Sequence, residues 1–436
     1  MRTRLTKGLL GAVTVLILGL SVLVPRATIG SSGNTFFVAN YGADRTGCGT
    51  QKQPCRSISQ AIENASDGDV IWVGPGHYGN VSGDPNFGGT GDEQPQAFST
   101  FQLGALGCMI CVDKAVAIYS AAGAAVTVIT GILSNSINTN VMIVRDGVVF
   151  GSTGHGFTLT GRVLFGLVIS QQGGSANNVT VSGNVDIGDN TGFAYSGPDP
   201  AIVRKCPDPQ RCVLTAQVLF DSNAALGNGI GFHLMLNANW NQGSFIVRHD
   251  LASRASVGFF IDPGITCEGF FVCPSGSPTV QLLANVATGN GTGFSSNGTG
   301  PITGNTASGN SSTGFSLTAP VQERFSGNTA IGSGGPGVIV SLVPQTGAGF
   351  SSFSQNNFYG NDRNRPAPLL PGPGARCGVF LSPPPPPPTV TLPAPNNFWG
   401  TTTGSSDTSG GACDQNGGIT IAQPLAGTPF PITSLF

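Results

Sequence analysis

The chain is expected to be all-β, a single β-solenoid in which short strands stack in parallel from one coil to the next. Three observations predict it. A frame recurs at Asn184 to Phe193, Asn223 to Phe232, Asp250 to Phe259, Asn285 to Phe294, Asn305 to Phe315 and Asn328 to Val338. Each copy opens on an amide or carboxylate, runs through small residues, and closes on Gly and an apolar side chain. The openings lie 39, 27, 35, 20 and 23 residues apart. Removing two stretches that look inserted, Ser196 to Cys212 and Asp262 to Ser277, brings the long gaps to 22 and 19. A period of about 20 to 27 residues is too short for helical-pair repeats of about 34 to 47 and suits one β coil. Between the frames lie alternating runs such as Val218-Leu-Phe-Asp221 and Phe245-Ile-Val-Arg248, the period-2 pattern of strands.

Composition agrees. Only 9% of the 436 residues are charged and 66 are glycine, against about 25% charged in ordinary soluble domains. Stacked coils cover one another's edges and are lined with amides and hydroxyls, so they need little charge. Within the frame, Asn at equivalent positions is expected to stack, each amide bonding the next at the strand spacing of about 4.8 Å. Gly before the closing residue is expected to supply a bend with φ > 0, and the closing Phe or Val to point into the bore. Net charge is -2 with 19 Lys and Arg, so no basic stripe exists to track a nucleic-acid backbone.

In chain order, Met1-Arg-Thr-Arg-Leu-Thr-Lys7 followed by Leu9 to Val24 has the basic start and apolar stretch of an export signal. Residues 1–30 are therefore expected to be a signal peptide or a retained N-terminal anchor, the only route to a membrane. The mature chain is expected to be secreted or at the cell surface. Ten cysteines fit that oxidising destination. They group as Cys48 with Cys55, Cys108 with Cys111, Cys206 with Cys212, Cys267 with Cys273, and Cys377 with Cys413. The Cys108-Met-Ile-Cys111 spacing also suits a zinc knuckle, but no second pair of ligands follows, and no metal site is expected.

Residues 35–69 are expected to cap the solenoid. Thr35-Phe-Phe-Val38 is a short strand. Arg56 to Ala65 places Ile58, Ala61, Ile62 and Ala65 on one helical face, so this helix is expected to plug the open end. Asp67-Gly-Asp69 turns the chain into a strand at Val70-Ile-Trp-Val73, which Pro75-Gly-His-Tyr78 ends. Coils are expected from 70 to 360, with 79 to 107 as a loop on the first. A Pro-rich insert spans 366–395 with six consecutive prolines, an extended excursion that cannot donate ladder hydrogen bonds. The final coil and C-terminal segment take 396–436.

Thr50 to Tyr78 resembles the entry of secreted right-handed parallel β-helix proteins of the pectin-lyase-like group. The motifs are Pro54-Cys-Arg-Ser-Ile-Ser-Gln-Ala-Ile62 and Asp67-Gly-Asp-Val-Ile-Trp-Val-Gly-Pro-Gly-His-Tyr78. The Asn frames, and the ends Asn356-Asn-Phe-Tyr-Gly360 and Asn396-Asn-Phe-Trp-Gly400, are similar to that group's later coils. The resemblance implies a single right-handed parallel β-helix over most of the mature chain. It says little about function, because the group includes lyases, hydrolases, epimerases, adhesins and surface proteins.

The chemistry-bearing residues are sparse. Gly154-His-Gly156 looks like the histidine motif of polygalacturonase-like hydrolases, but nothing upstream provides that family's acidic residues, and His155 is expected to be an exposed corner residue. A lyase of this group would need carboxylates for Ca2+ and an Arg or Lys base. The richest polar stretches hold Arg204, Lys205 and Arg211, then Arg248 and Asp250. Asp221 and Arg248 each lie two residues before a frame opening, so an ion pair between adjacent coils is expected there. Gly289-Asn-Gly-Thr-Gly293 resembles a calcium-binding nonapeptide but lacks its Asp. Asn290, Asn297 and Asn310 open glycosylation sequons that matter only in a glycosylating host.

Two functions from different classes follow. One is a non-catalytic surface or matrix protein that binds glycan along its flank; the other is a polysaccharide lyase, hydrolase or epimerase acting on a uronate polymer, for which Ca2+ would be called in. No complete catalytic set is present in the sequence, which favours the first and requires no cofactor. Any ligand site is expected where the two inserts project, beside the strands of Asp221 and Arg248. The cations Arg204, Lys205 and Arg211 there favour an acidic polysaccharide.

Overall fold

The computed structural model describes residues 33–84, 89, 91–98, 106–134, 137–171, 176–197, 215–236, 243–262, 278–297, 300–319, 323–342, 350–361, 378–382, 392–393, 396–397, 412–413 and 419–420. The strands form three long sheets, A with 11 strands, B with 10 and C with 12, and each coil contributes one strand to each sheet in the order A, B, C. One coil is Asn178–Ser182, Val185–Ile187 and Thr191–Ser196; the next is Gln217–Asp221, Ala224–Leu226 and Ile230–Met235. Every pairing within these sheets is parallel except that of Gln96–Phe98 with Leu106–Val112. The fold is the parallel β-helix that the repeats predict.

The bore is filled in ranks. Phe193, Phe232, Phe259, Phe294 and Phe315 are fully buried and stack with ring centroids 5.1, 4.8, 4.7 and 4.7 Å apart. These are the closing residues of the frame, and parallel pairing puts them in register: Phe193 with Phe232, Phe232 with Phe259, Phe259 with Phe294. The frame openings form a continuous ladder at the A-to-B corner. The backbone N–H of Asn184 donates to Asn223 Oδ1 (3.1 Å), Asn223 to Asp250 (2.6 Å), Asp250 to Asn285 (3.0 Å), Asn285 to Asn305 (2.9 Å) and Asn305 to Asn328 (2.9 Å). The ladder runs on through Asn356 to Asn397.

The bend is not where the sequence suggested. Gly192, Gly231, Gly258, Gly293 and Gly314, just before the closing Phe, do not have positive φ. They are glycine because coils approach closely there: a Cβ on Gly258 would lie 2.5 Å from the Gly293 carbonyl oxygen, and one on Gly293 2.5 Å from that of Gly314. The left-handed residue is instead the one before each ladder position: Gly183, Ser222, His249, Ala284, Gly304 and Gly327, with φ between 54° and 70°.

The helix Ile58–Asn64 buries Ile58, Ala61 and Ile62 against the first coils. Ser57 is its N-cap, accepting from the Gln60 N–H. Two further contacts come from outside the helix. The Glu93 carboxylate accepts from the N–H groups of Ile58 (2.9 Å) and Ser59 (2.7 Å), and Lys114 Nζ donates to the carbonyls of Glu63 and Ala65 at the other end. The strands at Thr35–Val38 and Val70–Val73 lie where they were expected, and four details differ. Thr35–Val38 is already a sheet A strand, paired with Val70–Val73. Gly76–Gly79, past the end of the Val70–Val73 strand, is itself the first strand of sheet B. The 79–107 loop contains a strand, Gln96–Phe98, which lies antiparallel along the edge of sheet C. Within 366–395, Val379–Ser382 is a sheet C strand in register with Val338, so the Pro-rich stretch is not one uninterrupted excursion.

Candidate functional site

The corners differ, and that decides where function can sit. In the coil that begins at Gln217 the chain goes from A to B by the short turn between Asp221 and Ala224 and from B to C by that between Leu226 and Ile230, whereas the first and last coils have long B-to-C connections, Gly79 to Leu106 and Tyr359 to Val379. Connections from C back to A vary from Ala319 to Glu323 at the short end to Ser196 to Gln217 and Asp262 to Thr279 at the long end. Both sequence-predicted inserts therefore start and end at the same corner. Arg204, Lys205 and Arg211 themselves, with Cys206, Cys212, Cys267, Cys273 and Cys377, lie outside the described residues. Cys413 is in a strand at the end of sheet C. Cys48–Cys55 and Cys108–Cys111 are disulfides, with Cα atoms 5.0 and 5.5 Å apart.

Asp221 and Arg248 are in register on neighbouring sheet A strands. Arg248 donates to Asp221 Oδ2 through Nε (3.0 Å) and a terminal nitrogen (2.8 Å), and the His249 ring lies 3.1 Å from Oδ1. The pair sits at the A-to-B end of its strands. Gln217, where the first insert rejoins sheet A, is four residues away, or about 13 Å at the usual strand rise. Asp250 is a rung of the ladder, 1% exposed, with burial pushing its carboxyl well above the usual range, so it cannot meet a ligand. The candidate residues that are described thus do not converge on one groove.

Several other carboxylates serve the scaffold. Asp44 accepts from the N–H groups of Arg56 and Ser57, Asp69 from those of Asn34 and Ser66, and Asp146 from that of Asn178. Asp67 pairs with Arg145 at 2.6 Å. Glu93, fully buried at the helix start, is pushed up to about 7 by desolvation. Asp186 and Asp189 share a buried site with Asn140 and Asn228. Burial raises both carboxyls, and the neighbouring Asp189 charge raises Asp186 further. Perturbed carboxylates often mark active sites, but these face the bore and not solvent. Among the described residues no three His, Cys, Asp or Glu side chains are grouped to hold a metal ion.

Two outer faces carry what the sequence reading missed. On sheet C, Cys111, Met142, Val168, Ala194, His233 and Phe260 form one in-register row. His233 stacks on Phe260 with centroids 4.8 Å apart, and burial lowers its pKa. On sheet A, Phe37, Trp72 and Tyr119 are in register and beside them opens a concavity of about 460 Å3. Part of the signal was present: in the runs at 35–38 and 70–73 already read as strands, Phe37 and Trp72 occupy the positions that alternate with the core-facing Val38, Ile71 and Val73. His155, expected at an exposed corner, is half-buried with its ring edge-on to Trp72 at 5.3 Å. Asn290 and Asn310 are 1% exposed, so those two sequons are closed to a glycosylating enzyme in the folded chain.

No protein-family model matches the chain, and no curated protein matches it. Among solved structures, a rhamnogalacturonan lyase is similar with TM-score 0.31 and 13% identity, over 74% of this chain and 87% of its own. A pectate lyase is similar with TM-score 0.23 and 15% identity, over 72% of this chain and 78% of its own. The assignment of the fold rests on the three parallel sheets themselves.

Proposed function

We propose that this is a secreted or cell-surface β-helix protein that binds glycan along its flank and does not cleave it. The observation that carries the reading is the use of the carboxylates. General acids, bases and cation ligands must face the substrate, whereas here Asp250, Asp186, Asp189 and Glu93 are buried in ladder, bore and helix cap, and Asp221 is bound by Arg248. Export is supported by the leader-like start and by disulfides at Cys48–Cys55 and Cys108–Cys111. Among the described residues no helix is long and apolar enough to cross a membrane. The glycan is acidic, and the contact residues are Arg204, Lys205 and Arg211, on an insert that leaves sheet C after Ser196.

Two measurements test this. Incubation with a panel of uronate polymers is expected to give neither unsaturated-product absorbance nor new reducing ends, and either signal overturns the non-catalytic reading. Retention on a polygalacturonate column is expected to be salt-sensitive and lost when Arg204, Lys205 and Arg211 are replaced by Ser. Unchanged retention by that folded variant removes the insert as the contact.

A further inference from the structure

We infer that the sheet A concavity beside Trp72 is a second glycan site, one that takes an uncharged sugar ring stacked on an aromatic platform. Strand alternation sets the platform. Phe36 and Val38 turn inward on the first strand, Ile71 and Val73 on the second, Ile118 on the third, so Phe37, Trp72 and Tyr119 face out as one row. Trp72 is held in place: Tyr119 lies 5.3 Å away at 39°, and the His155 ring meets it edge-on at 85°. His155 is itself fixed by the 2.9 Å contact of Nδ1 with the Ser120 carbonyl. A platform already ordered before binding loses little side-chain entropy on contact.

The lining then selects the ligand. The concavity, about 460 Å3, is bounded by Phe37, Trp72 and Tyr41 together with Thr35, Asn40 and Gln51, and among the described residues no charged side chain lines it. Its volume lies in the range of about 300–1,000 Å3 typical of small-ligand pockets. Tyr41 stands at the rim, 84% exposed, an aromatic that gains nothing for the fold by being there. A pyranose ring has an apolar C–H face and a rim of hydroxyls. It matches a site with aromatic faces at the floor and neutral amide and hydroxyl groups at the edge. An aliphatic chain would leave Asn40, Gln51 and Thr35 unused, and a uronate would find no cation for its carboxylate. The site shares with the function proposed above only the general class of ligand. It uses neither the same residues nor the same charge chemistry, so each reading can fail alone.

Affinity electrophoresis of the full secreted chain in gels containing galactomannan, xyloglucan or hydroxyethyl cellulose, with polygalacturonate alongside, tests it. At least one neutral polymer is expected to retard the protein, independently of added salt. Tyr41→Ala is expected to weaken that retardation about tenfold, the loss typical of an aromatic anchor, with an unchanged melting temperature because its ring is exposed. Trp72→Ala is expected to abolish it and Trp72→Phe to restore part of it, while the Ser replacements at Arg204, Lys205 and Arg211 leave it intact. The inference is overturned if no neutral polymer binds, or if binding persists in Tyr41→Ala. Retardation by polygalacturonate alone would overturn it while leaving the acidic-glycan reading standing. Should Trp72→Ala fail to fold, Tyr41→Ala decides.

Discussion

Asp250 occupies a rung where every neighbour is an amide, and the difference is one donor. Asn223, Asn285, Asn305 and Asn328 each present Oδ1 to a backbone N–H of the coil before, and each Nδ2 donates to a carbonyl of that coil. Asp250 Oδ1 accepts from Asn223, but its Oδ2 is buried without a partner. A proton on Oδ2 supplies the missing donor, in line with the upward shift that burial imposes. The sign follows. A carboxyl whose folded pKa exceeds its unfolded value stabilises fully below the unfolded value, near 3.9, and that contribution is lost as pH rises through the folded one. Asp250→Asn is therefore expected to raise the melting temperature at pH 8 by about 2–4 °C, for roughly 1 kcal/mol, and by much less at pH 4. Thermal unfolding of both proteins at the two pH values checks it; equal shifts at both would show that the rung does not titrate. A second residue carries packing alone. Phe259 lies between Phe232 and Phe294 in the stack, so Phe259→Ala is expected to cost about 3–5 kcal/mol, read from denaturant titration.

At the scale of the coil, two kinds of glycine do different work, and only one was legible. Periodicity in the sequence located the frame, the Asn ladder and the Phe stack, because each depends on residue identity at a fixed period. Gly before Phe was visible too, but its cause was misassigned: a sequence does not display the neighbouring coil whose carbonyl oxygen lies where a Cβ would be. The left-handed position was hidden for the opposite reason. It is filled by Gly304 and Gly327 in some coils and by Ser222, His249 and Ala284 in others, so no residue type marks it. The second ladder was also missed. Five residues after the first, Asn290 accepts from the Ala255 N–H, Asn310 from that of Asn290, and Asn361 from that of Ser333; Ala255 and Ser333 break the amide pattern. These turns yield a contrast. Ala284 has φ 55°, a conformation that costs an L-residue about 1–2 kcal/mol, so Ala284→Gly is expected to stabilise by about 0.5–1 kcal/mol after the extra chain entropy of glycine. Gly258→Ala, where a Cβ would lie 2.5 Å from the Gly293 oxygen, is expected to destabilise by about 1–3 kcal/mol. The two melting temperatures should move in opposite directions.

For the whole molecule, the separation of ladder corners from insert corners governs which parts vary. The sequence showed that insertions exist, because removing them restores the repeat, and it placed the Asp221–Arg248 pair on adjacent coils. It did not show that the pair and the inserts occupy different ends of the sheet A strands, since corner identity depends on how three short strands divide each coil. Alternation showed that Phe37 and Trp72 face outward, but the aromatic row on sheet A was hidden, because Phe37, Trp72 and Tyr119 are far apart in sequence and meet only through parallel register. The corner rule predicts the tolerance of the chain to insertion. The connection from Ser296 to Ile302 belongs to the variable C-to-A corner, and lengthening a flexible loop costs only about 0.6 kcal/mol per doubling. The turn from Leu283 to Val286 holds Asn285, whose N–H and Nδ2 both bond Asn305 Oδ1 and whose Oδ1 receives the Asp250 N–H. Extra residues there displace the rung from both neighbours and leave buried donors unpaired, at about 1–3 kcal/mol each. A Gly-Ser-Gly-Ser insertion after Asn297 is therefore expected to leave the melting temperature nearly unchanged, and the same insertion after Ala284 to lower it sharply or prevent secretion. Equal tolerance at the two sites would mean that the ladder is not what holds the coils in register.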